Sequence, residues 1–208
     1  MIRKLLNGKF LNDRPTESVT AAAFIIAFSG VVSRVLGLFR DRMLASHFGA
    51  GETLDVYYAA FRIPDLIYNL LVLGALSAAF IPVFTSLVAQ KRESDAWKTA
   101  AGILNLTALV ISGISLLFAI CAPWVMHLVT PGFSEESMRS VVMLSRIMFL
   151  SPLLLGISAV FGGVLVSLKK FLLYSIAPIL YNVGIIIGVL FFVPTWGPVG
   201  LAWGVVLG

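Results

Sequence analysis

Two arginines stand in the first apolar stretch of the chain, Arg34 and Arg40, with Ser33, Gly37 and Asp41 around them. A guanidinium bonds phosphate oxygens through two parallel N–H donors and stays charged in a low dielectric, so a cavity lined this way suits an anionic headgroup. Seven residues along a helix complete two turns to within about 20°, which puts Arg34 and Asp41 on one stripe. The next apolar segment repeats the spacing with Asp55 and Arg62, and Asp65 follows three residues later. Two outcomes are open. Either the stripes face each other and enclose a cavity rich in arginine, or Arg34, Asp41, Asp55 and Arg62 form an ion-pair network that only fixes the helices. Arg139 and Arg146 are again seven apart, at the start of a later segment.

Catalysis finds little support. Asp55 and Asp65, ten residues apart, are separated by about 15 Å of helix, too far for paired acid–base work. His47 and His127 have no His, Cys or carboxylate at metal-ligand spacing. No GxSxG, HExxH or glycine-rich phosphate loop occurs. No catalytic residue, metal ligand or cofactor is expected, and the chain is not expected to be an enzyme.

The elements that must position these side chains are membrane helices. Of the 208 residues, 59% are apolar and 12% charged, more apolar than a soluble core requires. Each crossing takes about 20 apolar residues. Backbone groups must bond internally in hydrocarbon, which favours helices. Five spans are expected over about 20–39, 56–89, 99–122, 138–168 and 171–193. A sixth starts near Val199 and reaches only about 15 Å of rise by Gly208, so the sequence reads as the N-terminal portion of a longer chain. Residues 1–19 are expected as a cytoplasmic tail and 20–208 as one transmembrane helical bundle. In the first span, ten Phe, Ile, Leu and Val residues offer ~0.3 to 0.6 kcal/mol each against ~2.5 to 3.5 for a central arginine. One such arginine is tolerated, so Arg40 belongs near the interface or against water inside the bundle.

Orientation follows from the positive-inside bias. Arg3, Lys4, Lys9, Arg14, Lys91, Arg92, Lys98, Lys169 and Lys170 share one side if five spans alternate, which places the N-terminus in the cytoplasm. The same bias explains most of the net charge of +5, and no nucleic-acid partner is expected. Gly30, Gly37, Gly156, Gly162 and Gly163 are candidates for close helix approach. Pro64, Pro82, Pro152 and Pro178 are candidates for bends.

At this point the residues carry a resemblance. Ser33-Arg-Val-Leu-Gly-Leu-Phe-Arg-Asp41, Phe48-Gly-Ala-Gly51, Asp55, Ala60-Phe-Arg-Ile-Pro64 and Gly74-Ala-Leu-Ser-Ala-Ala-Phe-Ile-Pro82 resemble the N-terminal signature of the MurJ (MviN) lipid II flippases. Ala122-Pro-Trp124, Thr130-Pro-Gly-Phe133, Ala177-Pro178 and Tyr181-Asn182 continue the match in order. The resemblance implies an all-α polytopic fold, the N-terminal lobe of a multidrug/oligosaccharidyl-lipid/polysaccharide exporter, with a C-terminal lobe still to come. It implies a multi-pass protein of the bacterial cytoplasmic (inner) membrane that flips lipid II, carried on undecaprenyl pyrophosphate, from the inner to the outer leaflet by alternating access. Arg34, Arg40, Asp55 and Arg62 are the expected substrate-binding residues, and Ser33, Gly37, Asp41, Pro64 and Gly74 the expected structural or gating ones. Where many family members carry an arginine pair and a glutamate between Pro64 and Gly74, this sequence has Tyr68, Asn69 and Leu73. Export of another lipid-linked oligosaccharide or a drug is the alternative transport reading, and a non-transporting membrane scaffold the alternative of another class.

Overall fold

The computed structural model describes residues 18–49, 51–70 and 77–208. Helix α1, Val19–Phe48, starts where the Ser18 hydroxyl accepts the Ala21 N–H, and ends at Gly49 with φ 69°. It runs beyond the expected 20–39 because no glycine or proline stop follows Asp41 until that glycine, whose missing Cβ permits the left-handed conformation. The expected second span appears as α2, Glu52–Tyr68, and α3, Ser77–Ala89. Residues 71–76 between them, Leu73 and Gly74 included, lie outside the described residues.

Helix α4, Glu93–Val129, takes up the polar residues before the expected start at 99. Glu93 and Asp95 in its first turn complement the helix dipole, and Asp95 also pairs with Arg92. The expected span 138–168 is one continuous apolar run made of α5, Glu135–Met148, and α6, Leu150–Ser167. They meet at Phe149, three residues before Pro152, whose missing N–H interrupts the ladder there. Helix α7, Phe171–Ile187, passes through a widened π turn, Gly188–Phe192, into the short α8, Val193–Trp196, and α9 follows as Val199–Leu207. Among the described residues, four helical stretches are long and apolar enough to cross a membrane: Val19–Phe48, Glu93–Val129, Glu135–Ser167 and Phe171–Trp196.

Helix α1 packs chiefly on α7, α2 on α5, and α4 on α6, while α9 lies against α7 and its π turn. One apolar cluster, with Leu44, Tyr57, Met126, Leu144 and Leu201, occupies the end that holds the α1–α2 and α4–α5 connections. A second, with Phe80, Phe84, Ala96, Ile111 and Val164, occupies the other end. Outward faces carry exposed Phe24, Leu38, Leu109 and Leu128, as suits hydrocarbon rather than water.

In lipid, close packing replaces the hydrophobic drive between helices, and glycines permit it. The tightest crossing is between α7 with its π turn and α9. A Cβ added at Gly188 would come 2.6 Å from the Gly204 Cα, and one at Gly204 would come 2.8 Å from the Gly188 Cα. At Gly163 an added Cβ would meet the Phe80 ring at 2.9 Å. Gly30, a candidate for close approach, has nothing within 4 Å of an added Cβ.

The α3–α4 and α6–α7 turns close in the same way. Lys91 and Lys169 both take φ 58°, and their N–H groups reach Val88 and Val166 carbonyls. The next residues, Arg92 and Lys170, donate to Leu87 and Leu165. This is the Schellman arrangement with lysine where glycine is usual. The two turns are neighbours, since the Thr85 hydroxyl donates to that of Ser167 at 2.9 Å.

Candidate substrate cavity

Small and polar residues on α1 recur along one face, at Ser29, Ser33, Gly37 and Arg40, and this face meets α7. The Ser29 and Ser175 hydroxyls bond at 3.0 Å, both buried. Ser33 Oγ donates to the Pro178 carbonyl at 3.2 Å. Asn182 Nδ2 donates to Ser33 Oγ at 3.2 Å and to the Pro178 carbonyl at 3.0 Å. Gly37 leaves ordinary room for the Asn182 carbonyl oxygen, 3.6 Å from where a Cβ would stand. That oxygen accepts from Arg40 Nη1 at 2.9 Å. Asn182 is 7% exposed and has every polar atom used, so it locks α1 to α7 and holds Arg40 at the same time.

Beside this seam opens a cavity of about 810 Å³. Arg34 and Arg40 line it from α1, Asp65 and Tyr68 from α2, Tyr174 and Asn182 from α7. Ser33, Gly37 and Pro64 also face it. Arg40 is largely committed. Its Nε and Nη2 donate to Asp41 Oδ1 at 2.9 and 2.8 Å, which leaves its side chain 23% exposed. Arg34 is exposed and has no hydrogen-bond or ion-pair partner among the described residues. The seven-residue spacing does not produce an Arg34–Asp41 pair. Side chains on a helix lean toward its N-terminus, so Arg34 leans away from an acceptor two turns downstream, whereas Arg40 is adjacent to it.

Asp55 and Arg62 come together, but elsewhere. They line a second pocket of about 470 Å³ with Glu52, Tyr58 and the Thr130–Ser134 connection. Arg62 Nη1 donates to the Val129 carbonyl at 3.3 Å, where the free carbonyls at the end of α4 favour a cation. Glu52 accepts from the Ser137 hydroxyl. Helix α2 therefore serves two sites from adjacent faces, and the four-membered ion-pair network does not form. Among the described residues the ion pairs are Arg40–Asp41 and Arg92–Asp95. Gly74 lies outside the described residues. Asn182 and Asp65 were absent from the expected site. An amide four residues after a proline in an apolar span was the available signal for Asn182.

The family model described as "Lipid II flippase MurJ" matches residues 44–208. The chain belongs to this family. The lipid II flippase MurJ of Burkholderia cenocepacia is 32% identical over 182 residues, 86% of this chain and 35% of the relative. The probable lipid II flippase MurJ of Bdellovibrio bacteriovorus is 33% identical over 199 residues, 92% of this chain and 38% of the relative. The chain thus spans a little over a third of these relatives' length. A solved lipid II flippase MurJ in an inward closed conformation superposes with a TM-score of 0.71 at 26% identity, over 88% of this chain and 40% of the other. The all-α exporter-type fold implied by the resemblance is shared with that structure, and the chain is part of a multi-pass membrane protein.

Proposed function

We propose that the protein flips lipid II from the inner to the outer leaflet of the bacterial cytoplasmic membrane, with Arg34 and Arg40 holding the pyrophosphate in the cavity and the prenyl tail remaining in hydrocarbon. Arg34 carries this reading. It is a guanidinium without a hydrogen-bond or ion-pair partner among the described residues, within an apolar membrane helix, lining a cavity of about 810 Å³. An intramembrane charge is costly and is retained where it contacts a substrate or a water-filled path. The family match and the matched flippase structure support the same reading. The N-terminus is cytoplasmic in this reading, with the start of α1, capped by Ser18, on that side. A second lobe, of the kind the remainder of the relatives' length supplies, faces α1 and α2 and completes alternating access. Ser33, Gly37, Asp41 and Pro64 shape and position the arginine site, and Gly74, outside the described residues, is assigned a structural or gating role. Asp55 and Arg62 meet the substrate from the outer pocket when the protein opens outward. The protein performs no bond chemistry and needs no cofactor or nucleic acid.

Photo-crosslinking in bacterial cells tests this reading. A photoreactive amino acid at Leu155, on the cavity wall, is expected to capture a lipid-linked disaccharide pyrophosphate, identified by mass. One at Leu109, 73% exposed on the outer face of α4, is expected to capture only bulk phospholipid. Recovery of phospholipid alone from both positions contradicts the proposal.

A further inference from the structure

The cavity holds more than its arginines need. Asp65 lines the same space as Arg34 and Arg40, is exposed, and its carboxylate has no hydrogen-bond or ion-pair partner among the described residues. Only its backbone carbonyl is engaged, by Asn69 Nδ2 at 2.9 Å. A free carboxylate repels phosphate, so it does not belong to the anion-binding group, yet in an apolar bundle it is too costly to be incidental. Two tyrosines stand with it on the cavity wall. Tyr68, three residues along the same helix face, is half-buried against the Phe80 and Phe84 cluster. Tyr174 rests against Gly162, where an added Cβ would meet its ring at 3.3 Å, and remains 42% exposed.

We infer that Asp65, Tyr68 and Tyr174 form a saccharide subsite next to the anion subsite of Arg34, Arg40 and Asn182. A carboxylate is acceptor-only with about four lone-pair positions, which matches the several O–H donors on one edge of a sugar ring. O–H···O⁻ bonds are among the strong ones. Tyrosine offers an apolar face for the ring's C–H groups and a hydroxyl at its rim. The two subsites of opposite character then read the two parts of a glycosyl pyrophosphate, its charge and its sugar. The inference rests on the reading of the cavity as a headgroup site and adds residue roles that the arginines do not provide.

Two probes separate the inference from that reading: a prenyl pyrophosphate, and the same prenyl pyrophosphate bearing a disaccharide, each titrated against the protein in lipid nanodiscs. The wild-type protein is expected to bind the glycosylated probe about tenfold more tightly, the margin of one hydrogen bond to a charged group. Asp65→Asn and Tyr68→Ala are each expected to collapse the ratio of the two affinities to within about twofold. Tyr68→Phe, which keeps the ring, retains most of the ratio. Arg34→Ala weakens both probes and preserves the ratio. An unchanged ratio in both Asp65→Asn and Tyr68→Ala, or a wild-type protein that does not favour the glycosylated probe, overturns the saccharide subsite and leaves the anion site standing. Failure of the wild type to bind either probe overturns both.

Discussion

Removing the Asn182 amide separates two roles that the structure joins. The Asn182→Ala substitution deletes the bonds to Ser33 and the Pro178 carbonyl and the bond that Arg40 Nη1 donates to Oδ1. Interhelical hydrogen bonds in a membrane protein average about 0.6 kcal/mol. A bond to a charged group contributes about 1.5 to 3 kcal/mol. The expected loss is therefore roughly 2 to 3.5 kcal/mol, dominated by Arg40. A double-mutant cycle apportions it, with stability in detergent followed by helicity during denaturation. Asn182 and Arg40 are expected to couple by about 1.5 kcal/mol or more, Asn182 and Ser33 by about 0.6. Because Asp41 still holds Arg40 through two bonds, Asn182→Ala should leave the guanidinium in place, and adding Asp41→Asn should release it. If Asn182→Ala and Arg40→Ala add within about 0.5 kcal/mol, the bond between the amide and the arginine does not contribute to stability, contrary to this expectation.

Gly188→Ala and Gly204→Ala should each destabilise the bundle by about 1 to 3 kcal/mol in the same denaturation, since the new methyl meets backbone. Gly30→Ala should be neutral or stabilising by up to about 1 kcal/mol, having open space and better helix propensity. Lys91→Gly should stabilise the α3–α4 turn by about 1 kcal/mol through relief of the left-handed backbone, with Lys91→Val doing the opposite. In a protein freed of Cys121, a cysteine at Ser94 should resist an impermeant outer label while one at Ser134 reacts, and the reverse pattern would invert the orientation.

Membrane character and family were legible before any coordinates, because long apolar runs and the motif from Ser33 to Pro82 depend on local order alone. Helix ends were less so. Helix α1 outruns its apolar stretch because polar residues continue a helix as readily as apolar ones until a stop such as Gly49 intervenes. The division of the charged residues between two sites was not legible. Periodicity relates positions on one helix but says nothing about which face of α2 meets which neighbour, so the expectation groups Arg62 with Arg34, whereas it lies with Asp55 at the second pocket. The Gly188–Gly204 crossing was missed for a related reason. It joins two helices across a turn, whereas glycine spacing within one helix points to positions such as Gly30, where an added Cβ would meet open space.

In the proposed function Arg34 is the open anion-binding group of the cavity, and its contribution is measured by affinity for a prenyl pyrophosphate. Arg34→Ala should insert and fold as the wild type does, since losing the charge eases membrane insertion. It should weaken binding by about 10- to 100-fold, the loss of one charged hydrogen-bonding group. Arg34→Lys should fall between the two, because an ammonium keeps the charge without the planar fork. Properly inserted Arg34→Ala protein that binds the pyrophosphate with wild-type affinity would contradict the claim and remove this residue from the site.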